Sequence, residues 1–214
     1  MSSPSRSGLP TFWTTHLAKV LVGDQPCRLA PWLAGHLNLR KMERDSIQLA
    51  EWKKKHTAFL KATSDQMSAD GWACSLERYF RVQGSTAVVS GKADLIIRKT
   101  DKRPVIIDVK TGYAKESDIV QVCIEMLLMP LAWGSPQMLF AGRVIYLEAS
   151  PVEINPATAQ TYREPLFRLI KELATRVKPE AQPSESTCRF CDVSEDDCPQ
   201  RWKPADVPVT TTEF

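Results

Sequence analysis

The chain has 214 residues, 43% of them hydrophobic, and its 28 Lys and Arg against 25 Asp and Glu give a formal net charge of +3. This is the composition of a globular chain with one substantial core; the small positive excess permits an anionic partner without requiring one. No apolar run approaches the roughly 18 to 20 residues of a membrane span, and the opening MSSPSRSGLP lacks the apolar stretch of a secretory signal, so the expectation is a cytoplasmic protein with no membrane contact.

Residues 1–10 are rich in Ser, Pro and Gly and read as a mobile N-terminus, while residues 11–202 read as one domain. From about Glu43 to Met67 the positions Leu49, Trp52, Phe59, Leu60 and Met67 recur at helical spacing. His56 falls on the same face, which predicts a long amphipathic helix with a histidine on its inner side. SLERYFRV, TAVVSGKADLIIR and RPVIIDVKT then read as three strands in succession, a β-meander. Val120, Cys123, Ile124, Leu127, Leu128 and Leu131 predict a helix from Ser117 to Leu128 or slightly beyond, interrupted near Pro130. GRVIYLEA is a further strand, PVEI a short one, and Asn155-Pro156 opens a helical stretch to about Val177. Residues 203–214 carry no core-forming period and read as a flexible tail. The element order predicts an α/β fold with a mixed central sheet flanked by helices.

The strand VIIDVK places an acid and a base two positions apart in an apolar run. Charges beside a core cost several kcal/mol each unless paired or bound to a metal, so the pair calls for an explanation. Fourteen residues before Asp108 lies Asp94; if the two strands are antiparallel around a turn near Asp101, residues whose numbers sum to about 202 face each other, and Asp94 meets Asp108. The period of two adds Lys110 to the face of Asp108. Two opposed carboxylates suit one divalent ion, magnesium or manganese, which favours hydrolysis of a phosphodiester: the ion acidifies a water and screens the phosphate, and Lys110 orients or deprotonates that water. His56 would add a nitrogen ligand and tilt the site toward manganese. Taken singly, an Asp-x-Lys on a strand is more often a structural ion pair, and a lone inward histidine is more often a hydrogen-bonded core residue. Their combination is what points to chemistry.

The six cysteines do not read as a disulfide framework, which belongs to small secreted chains. Cys188, Cys191 and Cys198 form C-x2-C-x6-C, one ligand short of a tetrahedral or cubane site. Cys27, near the other end, is the expected fourth, because Cys74 and Cys123 fall in segments that read as core. Four thiolates suit zinc or an iron-sulfur cluster, and spacing alone does not separate the two.

Gly91-x-x-Asp94, Asp108-Val109-Lys110-Thr111-Gly112, the helical His56 and Gln121 near the start of the next helix resemble the PD-(D/E)XK nucleases of the RecB-like branch. The resemblance implies a restriction-endonuclease-like fold with His56, Asp94 and Asp108 as ligands of Mn2+ or Mg2+, the Val109 carbonyl as a further ligand, Lys110 as a catalytic residue and Gln121 near the reaction. The family often carries a tyrosine one turn after that glutamine, where this chain has Glu125. One cysteine before these motifs and three after them resembles the iron-sulfur members of the branch, among them the CRISPR-associated exonucleases fourth in the Cas series and nuclease domains of AddB type. That likeness favours a [4Fe-4S] cluster on Cys27, Cys188, Cys191 and Cys198, with Zn2+ as the alternative; the last cysteine spacing is one residue longer than is common there.

Lys92, Arg98, Lys99, Lys102, Arg103, Lys110 and Lys115 concentrate positive charge around the expected site, and Tyr113 and Trp72 offer stacking surfaces. Lys92, Lys99, Tyr113 and Lys115 are the expected nucleic-acid contacts, with single-stranded DNA or a duplex end as the substrate. The expectation is a metal-dependent DNA exonuclease. No G-x-x-x-x-G-K-[ST] motif occurs, so unwinding would need a partner; the resemblance implies CRISPR integration proteins or a recombination helicase, and oligomers stay open. The rival is a non-catalytic nucleic-acid-binding protein that keeps the fold and the cysteine site.

Overall fold

The computed structural model describes residues 3–39 and 46–203. In chain order the elements are β1 (Thr11–Trp13), α1 (Thr14–Leu21), α2 (Leu29–His36), α3 (Ser46–Ala69), β2 (Ala73–Gln83), β3 (Val88–Arg98), β4 (Val105–Lys110), α4 (Glu116–Ala132), β5 (Ala141–Tyr146), β6 (Val152–Ile154), α5 (Pro156–Thr161), α6 (Arg163–Ala174) and α7 (Glu185–Arg189). They form a mixed α/β fold around a six-stranded mixed sheet flanked by helices. Among the described residues no helix is long and apolar enough to cross a membrane.

The meander is β2, β3 and β4, each antiparallel to the next, and β4 then runs through α4 into β5, its parallel neighbour. The register of β3 and β4 follows the turn symmetry read from the sequence: Leu95 faces Ile107, Ile96 faces Ile106 and Ile97 faces Val105, each pair of numbers summing to 202. Since β2 pairs with β3 along its length, β4 and β1 must share the other edge, β4 at Leu95–Ile97 and β1 at Val88–Ser90. Between those two partners the edge of β3 is forked open from Gly91 to Asp94, the stretch that carries the first acid.

The same point interrupts the side-chain alternation. Val89 and Ala93 face the larger core with α1, α4 and α6, yet Leu95 and Ile97, of the same parity, face the smaller core under α3. The β2 to β3 ladder passes from Leu76↔Leu95 to Arg78↔Ala93, skipping only Glu77 and Asp94, and Glu77 sits at φ 48. A left-handed glutamate in mid-strand is uncommon, and it marks the kink that exchanges the two faces.

Two sequence expectations are corrected. Helix α4 passes through Pro130 to Ala132, because a proline in the last turn forfeits one hydrogen bond in a segment held from both sides by the core. The stretch expected to run from Asn155 to Val177 is two helices broken at Tyr162, which caps both, and it ends at Ala174 with Val177 exposed. The expected start of the long helix at Glu43 lies outside the described residues, as do residues 204–214 of the expected tail; from Ser46 the helix runs to Ala69. In the segment read as a mobile N-terminus, Ser5 bridges to Leu37, and the Ser3 amide and hydroxyl donate to the carboxylate of Asp197 at 2.8 Å each.

Candidate active site

Strand β4 is buried on both faces. Ile107 and Val109 enter the core beneath α3, while Ile106 and the carboxylate of Asp108 point toward α4. Asp108 is 2% exposed and Asp94 7%. Where the ladder ends at Leu95, the Asp94 side chain takes over the role of a backbone acceptor: the Val109 amide donates to its Oδ2 at 3.1 Å. From α3, His56 brings Nε2 to 3.3 Å of the same oxygen. Lys110 Nζ stands 2.7 Å from Asp108 Oδ2 and 3.8 Å from Asp118 Oδ1. Helix α4 supplies Gln121, whose Nε2 donates to Asp108 Oδ1 at 3.2 Å and to Glu125 Oε1 at 3.2 Å.

The electrostatics follow from this packing. Burial raises the Asp108 carboxyl to about 6, against the opposing pull of Lys110, and nearby Asp94 adds to the rise. Burial alone would lower the Lys110 ammonium, but Asp108, Asp118 and Asp94 together hold it above its ordinary value. In the metal-free chain Lys110 is therefore held as a positively charged hydrogen-bond donor. The hydrogen bond to Asp94 raises His56, with burial working the other way. Glu125, fully buried, is pushed well above the usual carboxylate range by desolvation.

His56, Asp94, Asp108, Val109, Lys110, Gln121 and Lys92 line one cleft of about 790 Å³. Tyr113 and Lys115 line an adjoining pocket of about 390 Å³ that shares Lys110, Gly112 and Gln121 with it. The rim of the cleft carries three exposed aromatics, Trp13, Trp52 and Tyr79, at 41%, 52% and 71% exposure, together with Lys19 and Lys53. Lys99 is elsewhere: its Nζ donates to the Asp70 carbonyl at 3.0 Å and, like Lys102, it stands over the Trp72 ring. It lies five positions beyond Asp94, one past the end of β3, about 16 Å at a strand's rise, and Arg98, Lys102, Arg103 and Trp72 are at that far end with it. Charge in a sequence does not say at which end of a strand it emerges.

The sequence reading assigned no role to Asp118, and noted Glu125 only where the family's tyrosine is expected. The signal was present: in the apolar helix SDIVQVCIEMLL the polar residues Asp118, Gln121 and Glu125 fall three and four apart, a single face.

Among the described residues no three His, Cys, Asp or Glu side chains are drawn close enough to hold a metal ion as they stand. The chemistry of the donors nevertheless fits a hard divalent cation: two carboxylates and an imidazole open on one cleft, and Asp108 Oδ2 is buried without a well-angled hydrogen-bond donor despite the nearness of Lys110. Cys27, Cys188, Cys191 and Cys198 line a single small cavity of about 20 Å³. Cys74 packs against the core under α3, and Cys123 is fully buried in the main core.

No curated protein matches the sequence. Among solved structures the chain is similar to one titled "Crystal structure of SSO0001", at 14% identity and a TM-score of 0.49, with 92% of this chain and 90% of that one covered. A family profile described as the PD-(D/E)XK nuclease superfamily matches residues 7–195, a span that contains every strand of the sheet and every residue of the carboxylate cleft. The chain belongs to the PD-(D/E)XK nuclease superfamily.

Proposed function

We propose that the protein is a divalent-metal-dependent DNA exonuclease that acts on single-stranded DNA or DNA ends. Members of its superfamily are generally metal-dependent nucleases that use ions such as Mg2+ or Mn2+, and the chain carries the superfamily's profile. The observation that carries the reading is the convergence of Asp94, Asp108, Lys110 and His56 on one cleft with a cationic, aromatic rim.

Asp94, Asp108 and His56 would hold the ion, with the Val109 carbonyl beside them. When bound there, the ion supplies Lewis acidity toward a phosphate oxygen and a water. Lys110, kept protonated by its carboxylate neighbours, donates to the oxygen on which negative charge develops. Gln121, tied to Asp108, holds that carboxylate's orientation and presents its remaining amide atom to the cleft. Lys19, Lys53 and Lys92 attract the phosphate backbone, while Trp13, Trp52 and Tyr79 give unpaired bases a surface on which to stack. A duplex keeps its bases stacked inside, so exposed ring faces around the cleft favour a single strand. Tyr113 and Lys115 extend the track through the adjoining pocket.

Cys27, Cys188, Cys191 and Cys198 would bind a [4Fe-4S] cluster, or zinc in its place, joining the two ends of a single domain over residues 11–202. The setting that fits is the trimming of DNA ends in the cytoplasm, for CRISPR integration proteins or beside a recombination helicase. The test is release of nucleotides from end-labelled single-stranded DNA with manganese. The wild type releases them, and Asp108→Ala and Lys110→Ala each lose roughly a hundredfold or more. A wild type that binds this DNA but releases nothing with any divalent ion overturns the enzyme reading in favour of a binding protein.

A further inference from the structure

Glu125 has no place in the chemistry described so far. It is 0% exposed, it does not line the cleft, and its Oε2 is buried without a hydrogen-bond partner. A desolvated, half-satisfied carboxyl is a stability cost, and its helical neighbours Val122, Ile124, Met126 and Leu128 are all buried and apolar. A leucine or methionine would suit the packing better.

What Glu125 does do is accept from Gln121, one helical turn earlier, at 3.2 Å. A side-chain amide nitrogen has two hydrogens. In Gln121 one goes to Asp108 Oδ1 and the other to Glu125 Oε1. With the proton of this raised carboxyl on Oε2, Glu125 Oε1 is an acceptor only, so flipping the amide would set its oxygen against two acceptor oxygens and the two acids together select one orientation. Gln121 also lines the cleft, and with its nitrogen committed inward the atom left for the cleft is Oε1. Without Glu125 only Asp108 holds the amide, and that same carboxylate is the group the ion would engage.

We propose that Glu125 is a positioning residue for the nuclease reaction: it locks the Gln121 amide with Nε2 on Asp108 and Oε1 turned to the cleft, where that oxygen accepts a hydrogen bond from the attacking water. The proposal rests on the nuclease reading. It accounts for a carboxyl retained in an apolar layer, and it assigns the orphaned Oε2 as the cost of holding Oε1 where Gln121 needs an acceptor.

The variants Glu125→Leu, which removes the acceptor, and Glu125→Gln, which keeps a carbonyl oxygen there, separate this from a structural role. Glu125→Leu lowers kcat on end-labelled DNA about tenfold, the scale of a lost supporting hydrogen bond, leaves KM unchanged and melts no lower than the wild type. Glu125→Gln recovers activity to within about threefold of the wild type. Added to Gln121→Leu, Glu125→Leu costs nothing further, because both act through one amide. Full activity in Glu125→Leu, equal impairment of the two Glu125 variants, or an additive loss with Gln121→Leu overturns the proposal; so does a lower melting temperature without rescue by Glu125→Gln. A readout independent of turnover is the Gln121 side-chain amide resonance in the metal-free protein, assigned by its loss in Gln121→Leu. It moves toward the free-amide position in Glu125→Leu and stays in Glu125→Gln. If the wild type proves inactive, the nuclease reading fails while this resonance still decides whether Glu125 holds Gln121.

Discussion

On the proposed reading Asp108 and His56 would serve protons and a metal with the same atoms, and their surroundings set the terms of that competition. Burial raises Asp108 to about 6, and the Asp94 hydrogen bond raises His56. Both groups bind their protons more tightly folded than unfolded. In the metal-free chain each therefore contributes stability that is complete below its unfolded pKa and is lost as the pH rises through its folded one. A metal needs both groups deprotonated, so it binds best where the apoprotein is least helped by them. The expected outcome is a rise in melting temperature with manganese that is largest near pH 8 and shrinks toward zero near pH 5, with apparent affinity falling by more than one proton's worth per pH unit. Thermal melts with and without manganese across that range check it; a metal-induced shift independent of pH would remove these two residues from the ligand set. The Asp-x-Lys pair and its opposite acid were legible because strands repeat every two residues and a tight hairpin has one symmetric register. Glu125 was less legible, since a polar residue in an apolar helix reads as surface until its burial is known. The displacement of Lys99 has a simpler cause: nothing local distinguishes a cation near a site from one at the far end of the same strand.

At the scale of elements, the cleft depends on a sheet that is forked and kinked at one place. The long helix, the meander and the helix after it were readable from periodicity and turn residues. The fork was not, because β1 joins β3 from far away in sequence; the helix break at Tyr162 does have a signal, Pro165 in the first turn of α6, which is tolerated only near a helix start. Gly91 is where the fork becomes a packing requirement. Its cross-strand partner is Phe80, whose ring lies over it, and a Cβ at Gly91 would come 2.9 Å from Thr14 Oγ1 and closer still to that ring. Phe80 is itself buried, so it cannot swing clear. Gly91→Ala should cost about 1 to 3 kcal/mol, read as a lower urea midpoint with unchanged slope, and it should lower activity beyond the stability loss by moving Asp94, three residues on. Glu77→Val tests the kink from the other strand. A β-branched residue resists φ 48, so the variant should lose about 1 to 2 kcal/mol, whereas Glu77→Gly should be nearly neutral. If valine and glycine at position 77 melt alike, the left-handed backbone is not what shapes the sheet there.

For the whole molecule, the question is what keeps its two ends together. Cys27, Leu29, Leu33 and Val193 make a satellite core of their own, far too small to order a segment unaided. Polar clasps reinforce it: Arg201 donates to the carbonyls of Cys188, Cys191 and Val193, and Ser3 to Asp197. Around the cavity in that core stand the four thiols, with burial raising Cys191 and Cys198 above the ordinary thiol value. Four thiols gathered around one cavity are an odd way to stabilise a joint, but four thiolates on a cation are a strong one. Closing a loop that spans most of the chain also removes more unfolded-state entropy than a short one. Purified under reducing, oxygen-free conditions, the protein should be brown, absorbing near ~400 nm. Cys191→Ser should lose that colour and become sensitive to protease in residues 181–203, with the far-UV signal of the sheet retained, and Cys74→Ser should keep both colour and resistance. A colourless protein with one zinc per chain would replace the cluster by zinc and leave the clamp intact. A chain with no stoichiometric metal, and a Cys191→Ser variant as protease-resistant as the wild type, would mean that packing and the Arg201 clasp hold the ends by themselves.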